Sequence, residues 1–256
     1  MLKTIIYYHR AYRKIADTRR TLVRELLAIA LPLSVLIFFT YPFITRWMSL
    51  FTQSVLLPYY PFGSIELIRK PFFFGDVFFV GIPGTYPSLA ATIINLAISL
   101  PLVILLPRVR KGKNAAIYLF YLAAINLVSS LFFLFFSSNF PYSATKFSEL
   151  YVMTEISIWL FIPFILGMAV VLFPPAIFPK LTVLVMTLFY SIVIGSLRYI
   201  LFLFIISKFS ILYMALLYFA FGPLFDFIYI VGIFSIYTNR LAISLQGSIK
   251  AWKWLY

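Results

Sequence analysis

Cysteine is absent from the 256-residue chain, and histidine occurs once, at His9. Without a thiol the chain forms no disulfide, no thiolate nucleophile and no iron–sulfur ligation. With a single imidazole it builds neither a bis-histidine haem site nor a histidine-rich metal site. No Walker motif, zinc signature or glycine-rich phosphate loop is present. Charge is also scarce, at 11% of residues, against about 25% in soluble domains. No polar stretch is long enough for a separate soluble domain. These absences lead us to expect no cofactor, no metal centre and no complete catalytic constellation.

What is abundant is apolar surface. The chain is 63% hydrophobic, with 30 phenylalanines and 18 tyrosines, and its mean hydropathy is +1.02. The apolar runs recur along the whole length, which predicts an all-α polytopic membrane protein with about six transmembrane helices. We expect it in a prokaryotic-type plasma membrane. The net charge of +14 would point to nucleic acid in a soluble protein. Here Lys and Arg flank the apolar runs on one side, as cytoplasmic loops do. Membrane lipids are therefore the expected charged partner, and nucleic acid is not.

Residues 1–24 form a basic arm. Wound as a helix, the arm puts Ile5, Tyr8, Tyr12 and Ile15 on one side and Lys3, Arg10, Arg13 and Lys14 on the other, the pattern of an interfacial helix. Arg10, Arg13 and Lys14 are candidate headgroup contacts, together with Arg108, Arg110 and Lys111 of a short basic loop. The membrane domain covers residues 25–237, and residues 238–256 make a basic and aromatic tail. The six spans are expected at about 25–44, 88–106, 115–136, 151–173, 181–205 and 211–236. Only Arg46, Arg69, Lys70, Lys146 and Lys208 then fall on the outer side, so both termini are expected in the cytoplasm.

Residues 45–87 make the long external excursion. Five prolines and four glycines interrupt it, too many for a spanning helix. Phe72, Phe73 and Phe74 precede Gly75-Asp76, and Phe78 and Phe79 follow. This reads as a short β-hairpin turning at Gly75-Asp76, with residues 64–69 available as a third strand. Those five phenylalanines are candidate partner contacts, because exposed aromatic surface of this density needs covering by a partner or by the membrane interface. The alternative is a loop packed on its own helices.

Three charged residues fall well inside spans: Glu155, Arg198 and Asp226. An ionisable group at membrane depth faces protein or water and takes a partner. Counting helical rise from the outer ends puts Glu155 roughly 6 Å deep, Arg198 roughly 10 Å and Asp226 roughly 22 Å. The count predicts a Glu155–Arg198 ion pair. It leaves Asp226 without a cation at its depth, facing another chain or hydrogen-bonded while neutral. Gly222-Pro223 predicts a helix break just before it.

Around Arg198, Gly195-Ser196-Leu197-Arg198-Tyr199 resembles the Cys-Ser-Gly-x-Arg region of exosortase-type membrane proteases. The nucleophilic cysteine is missing and no histidine follows, so the resemblance implies no activity here. The layout of six spans behind a basic N-terminal arm resembles the permease half of ABC-2-type exporters, which implies a transport permease working with an ATPase. From the residues themselves we expect a non-catalytic membrane subunit, anchoring protein partners in a hetero-oligomeric complex. An enzyme acting on lipid substrates through Glu155 and Arg198 ranks third.

Overall fold

The computed structural model describes residues 13–15, 19–109, 112–173, 177–245 and 252–254, with side chains over 23–109, 112–173 and 177–243. In chain order the elements are strand β1 (Arg13–Ile15), helix α1 (Arg19–Leu56), strands β2 (Glu66–Phe72) and β3 (Gly75–Gly81), and helices α2 (Leu89–Leu105), α3 (Lys113–Phe136), α4 (Ala144–Val171), α5 (Ile177–Lys208), α6 (Met214–Phe221) and α7 (Pro223–Leu245), followed by strand β4 (Trp252–Trp254). Among the described residues six helical segments are long and apolar enough to cross a membrane: Val23–Tyr59, Leu89–Arg108, Lys113–Asn139, Ala144–Val171, Ile177–Lys208 and Ile211–Ile243. Their length and apolarity mark a multi-pass membrane protein.

The chain forms two compact units. The first comprises Met1–Phe39, Ile158–Ile192 and Phe227–Tyr256, and the second comprises Thr40–Ser157 and Val193–Asp226.

In the first unit, Gly167 of α4 comes close to α1 and α5, where a Cβ would meet Leu26 at 3.2 Å and Leu184 at 3.8 Å. Small residues let helix backbones approach in this way. Ser34 Oγ donates to Leu160 O at 3.3 Å, and Tyr229 Oη donates to Ser191 Oγ at 2.6 Å. Lys180 is 1% exposed; its ammonium donates to Glu25 Oε2 at 2.6 Å and to Val171 O at 3.4 Å. A buried ammonium needs both a countercharge and hydrogen bonds to offset desolvation. At the arm, the backbone of Arg13–Ile15 pairs antiparallel with Trp252–Trp254. These three residues of the arm are therefore strand, not a turn of interfacial helix. The rest of the helical reading, residues 1–12 and 16–18, lies outside the described residues.

In the second unit the excursion departs from expectation in two ways. Its first part is helical, because α1 runs on to Leu56. No proline or glycine lies between Pro42 and Pro58, and Pro58 then opens a 3₁₀ turn over Leu57–Tyr59. The hairpin, too, turns elsewhere. β2 pairs with β3 from Glu66↔Gly81 to Phe72↔Gly75, so Phe73 and Phe74 form the turn and Gly75 begins a strand. The third strand suggested for 64–69 is the first half of β2. Gly75 serves a close approach instead of a turn: a Cβ there would lie 2.8 Å from Pro42 Cγ. Phe73 takes the left-handed backbone, with φ 51°, which is uncommon for a bulky residue and needs support. Tyr41 supplies it from α1, donating to Phe72 O and accepting from Gly75 N at 3.1 Å. Its ring also meets Phe72 and Phe74 edge to face.

Two more bonds seat the hairpin. Ser49 Oγ donates to Phe78 O at 2.8 Å, and Val80 N donates to Tyr199 Oη at 2.8 Å. α2 and α3 form an antiparallel pair joined by a polar cluster. Asn126 Nδ2 donates to Asn95 Oδ1 at 2.8 Å and to Ser99 Oγ at 3.2 Å. Asn95 Nδ2 donates to Ser130 Oγ at 2.8 Å. Amide and hydroxyl bonds of this kind hold apolar helices together where hydrophobic contrast is weak.

Candidate functional site: a charge cluster at a helix break

Within the second unit, α4 presents Glu155, α5 presents Arg198 and α7 opens on Asp226. The three are 1%, 8% and 1% exposed. Arg198 Nη2 donates to Glu155 Oε1 at 2.8 Å and to Asp226 Oδ1 at 2.5 Å. Its other terminal nitrogen, Nη1, donates to Phe221 O at 2.8 Å and to Gly222 O at 3.0 Å. The guanidinium also lies 5.6 Å from the centre of the Phe225 ring. One fork thus binds two carboxylates and two carbonyls, a geometry open to arginine and not to lysine.

The carbonyls are available because the chain breaks there. Pro223 has no N–H to continue the helix. Gly222, with ψ −119°, leaves the helical region. Phe225 N then bonds back to Gly222 O at 2.9 Å, as does Asp226 N at 3.2 Å. In an unbroken helix Phe225 N would serve Phe221 O. Arg198 Nη1 takes that role, as a cap for a C-terminal carbonyl. Asp226 sits in the first turn of α7, where the helix dipole favours an anion.

Space for Glu155 comes from Gly195, one turn from Arg198 on α5. A Cβ at 195 would lie 2.7 Å from Glu155 Oε2, so a larger residue there requires the carboxylate to shift. Tyr151 Oη donates to Gly195 O at 2.9 Å, and its ring stacks on Tyr199 at 5.4 Å. Tyr199 Oη shares a 2.5 Å hydrogen bond with Ser148 Oγ and accepts from Val80 of the hairpin. A continuous run of contacts therefore joins β3 to the charge cluster.

The expected Glu155–Arg198 pair is present. The expectation for Asp226 is corrected: its cation is Arg198, in the same chain. The depth count ended the fifth span at residue 205, whereas α5 continues to Lys208. That puts Arg198 about 15 Å from the helix end. The remaining offset is bridged by the long arginine side chain and by the redirected chain at Gly222.

The hairpin phenylalanines are not equivalent. Phe73 and Phe74 are 73% and 50% exposed, whereas Phe79 is 3% exposed and offers a partner no surface. Phe72 and Phe78 are half-buried, Phe72 against Tyr41 and Phe78 under the Arg46 guanidinium at 5.9 Å. Of the basic residues, Arg108 is exposed and donates to Ile104 O at 2.9 Å. The backbones of Arg13 and Lys14 lie in β1. Arg10, Arg110 and Lys111 lie outside the described residues.

Sequence reasoning missed three polar groupings: Lys180 with Glu25, Lys70 and Lys146 with Glu149, and the Asn95–Asn126 cluster. Lys180 with Glu25 had no local signal; Lys146 and Glu149, three residues apart on one helix, and the Asn95–Asn126 cluster had one. Asn95 and Ser99, like Asn126 and Ser130, are four residues apart and share one helix face.

Compared with protein-family models, with curated proteins and with solved structures, the chain matches none.

Proposed function

We propose that this chain is a membrane-embedded, non-catalytic subunit that holds a partner protein through its external hairpin. The observation that carries the reading is the hairpin tip. Two exposed aromatic rings, Phe73 and Phe74, are held in a strained turn braced by one tyrosine of α1. Strain of this kind persists at ligand clamps, where it pre-organises a binding surface. Phenylalanine, with the other aromatic residues, is enriched at the buried core of protein interfaces. The charge cluster supports the same reading. Its guanidinium is already committed to two carboxylates and two carbonyls, which suits a device that fixes helix register.

Both termini are cytoplasmic and the hairpin is external in this proposal, on the bias of Lys and Arg. Because the chain has no native cysteine, a single introduced cysteine reports topology directly. Phe62→Cys, at a fully exposed loop position, is expected to react with an impermeant maleimide added to intact cells. Asn114→Cys is expected to react only after permeabilisation. Labelling of the opposite set would invert the orientation.

The partner is tested by placing a photo-crosslinking amino acid at Phe73 or Phe74 and purifying the protein from native membranes. A discrete protein adduct, lost in the Phe73→Ser/Phe74→Ser variant while the variant still folds, is the expected result. Adducts to lipid alone would reject partner docking. Co-purification of a homodimer with an ATPase would instead favour the ABC-2-type permease.

A further inference from the structure

A cavity of about 330 Å³ opens in the second unit between the start of α4 and the stretch running into α6. Phe140, Phe147, Leu150, Met214, Ala215 and Tyr218 form most of its wall. Tyr218 Oη, a hydroxyl on this wall, is taken up by Thr154 Oγ1 at 2.7 Å. The cavity therefore offers mainly carbon and ring faces, at the small end of ligand pockets, which run from about 300 to 1,000 Å³.

A cationic group stands next to its lining residues along α4. Lys146 precedes the lining residue Phe147 and lies one helical turn from the lining residue Leu150. Lys146 Nζ and Lys70 Nζ both bind the same oxygen of Glu149, at 3.0 and 2.6 Å. Two ammoniums on one carboxylate leave an excess positive charge, and both lysine side chains are almost half exposed. The first turn of α4 adds the positive end of a helix dipole, with Ser143 Oγ capping Lys146 N at 3.0 Å.

An apolar slot with a lysine one helical turn from its lining, at the end of a membrane-spanning segment, suits one ligand class: an amphiphile with an anionic head. We infer that the cavity seats an acyl chain of an anionic phospholipid, whose phosphate is held by Lys146 and Lys70. The inference rests on the membrane placement proposed for the chain, which the labelling experiment tests independently. A soluble phosphate compound would use the lysines alone and leave the slot empty.

The test is native mass spectrometry of the intact chain in detergent, titrated with phosphatidylglycerol and with phosphatidylcholine of equal chain length. The wild type is expected to bind phosphatidylglycerol about tenfold more tightly, the worth of one hydrogen bond to a charged group. Ala215→Phe, which fills the slot, is expected to lose both lipids. Lys70→Gln/Lys146→Gln is expected to keep both and lose the preference. Thermal unfolding of each variant verifies that it is folded. Equal affinity for the two lipids in the wild type would overturn the proposal. So would undiminished binding in folded Ala215→Phe, or competition by inorganic phosphate as effective as that by lipid. If Ala215→Phe does not fold, the glutamine pair decides, and an unchanged preference there would overturn the headgroup assignment.

Discussion

Arg198→Met is expected to be among the most destabilising single substitutions in the chain, costing about 3–5 kcal/mol in a reversible unfolding assay in detergent. Folded proteins have about 5–15 kcal/mol to lose, so little folded material is expected. The size follows from the balance of charge. Arg198 is the cation that binds both Glu155 and Asp226. Removing it leaves two buried carboxyl groups facing each other and an uncapped carbonyl at Phe221. Removing one carboxylate does the opposite, since Glu155→Gln or Asp226→Asn leaves a balanced pair. Each is expected to cost about 1–3 kcal/mol, the loss of a hydrogen bond to a charged group. Arg198→Lys should fall nearer to Met than to wild type, because a single ammonium cannot span both carboxylates and both carbonyls. The triple variant Glu155→Gln/Arg198→Met/Asp226→Asn should recover most of the loss, since neutralising a whole buried cluster is often close to neutral. If Arg198→Met proved as stable as Asp226→Asn, the guanidinium would not be the centre of the cluster.

The same residues show why part of this architecture was legible in the sequence and part was not. Apolar runs place helices because a span has to satisfy its own backbone, and each of the six candidate spans overlaps a run read from the sequence. Glu155 and Arg198 paired as expected because α4 and α5 both extend past the spans read from the sequence, to Ala144 and Lys208, so the two depths grow together, to about 17 and 15 Å. Asp226 was misplaced because its count ran through the Gly222-Pro223 break as though the helix were straight. The turn at Phe73-Phe74 was hidden because glycine signals both turns and close approach, and Gly75 is the second kind. The helix over residues 45–56 was hidden by reading the prolines of the excursion as one set, although all of them lie beyond it. Lys180 and Glu25 are 155 residues apart, and no local pattern links them. The cavity beside Lys146 belongs to this class too, since its walls come from segments that only the fold brings together.

Gly222→Ala is expected to cost about 1–3 kcal/mol by overpacking alone, and more once the cluster responds. A Cβ at position 222 would sit inside contact distance of Tyr218 O. That atom is backbone of α6, so it cannot rotate away as a flexible side chain does. Relief requires the break to reshape, and the break is what aims the Phe221 and Gly222 carbonyls at Arg198 Nη1 and brings Asp226 to Nη2. Gly232 supplies the control. It lies within α7, and a Cβ added there would meet nothing within 4 Å, so Gly232→Ala is expected to gain about 0.4–1 kcal/mol by restricting the unfolded chain. Opposite signs for two glycine-to-alanine changes would separate local geometry from any general intolerance of α7. The coupling to the cluster is measured by combining Gly222→Ala with Arg198→Met. If the break and the guanidinium act together, the double variant costs less than the sum of the singles by more than about 0.5 kcal/mol, the margin within which independent sites add. Strict additivity would mean that the helix break and the charge cluster are neighbours without being one device.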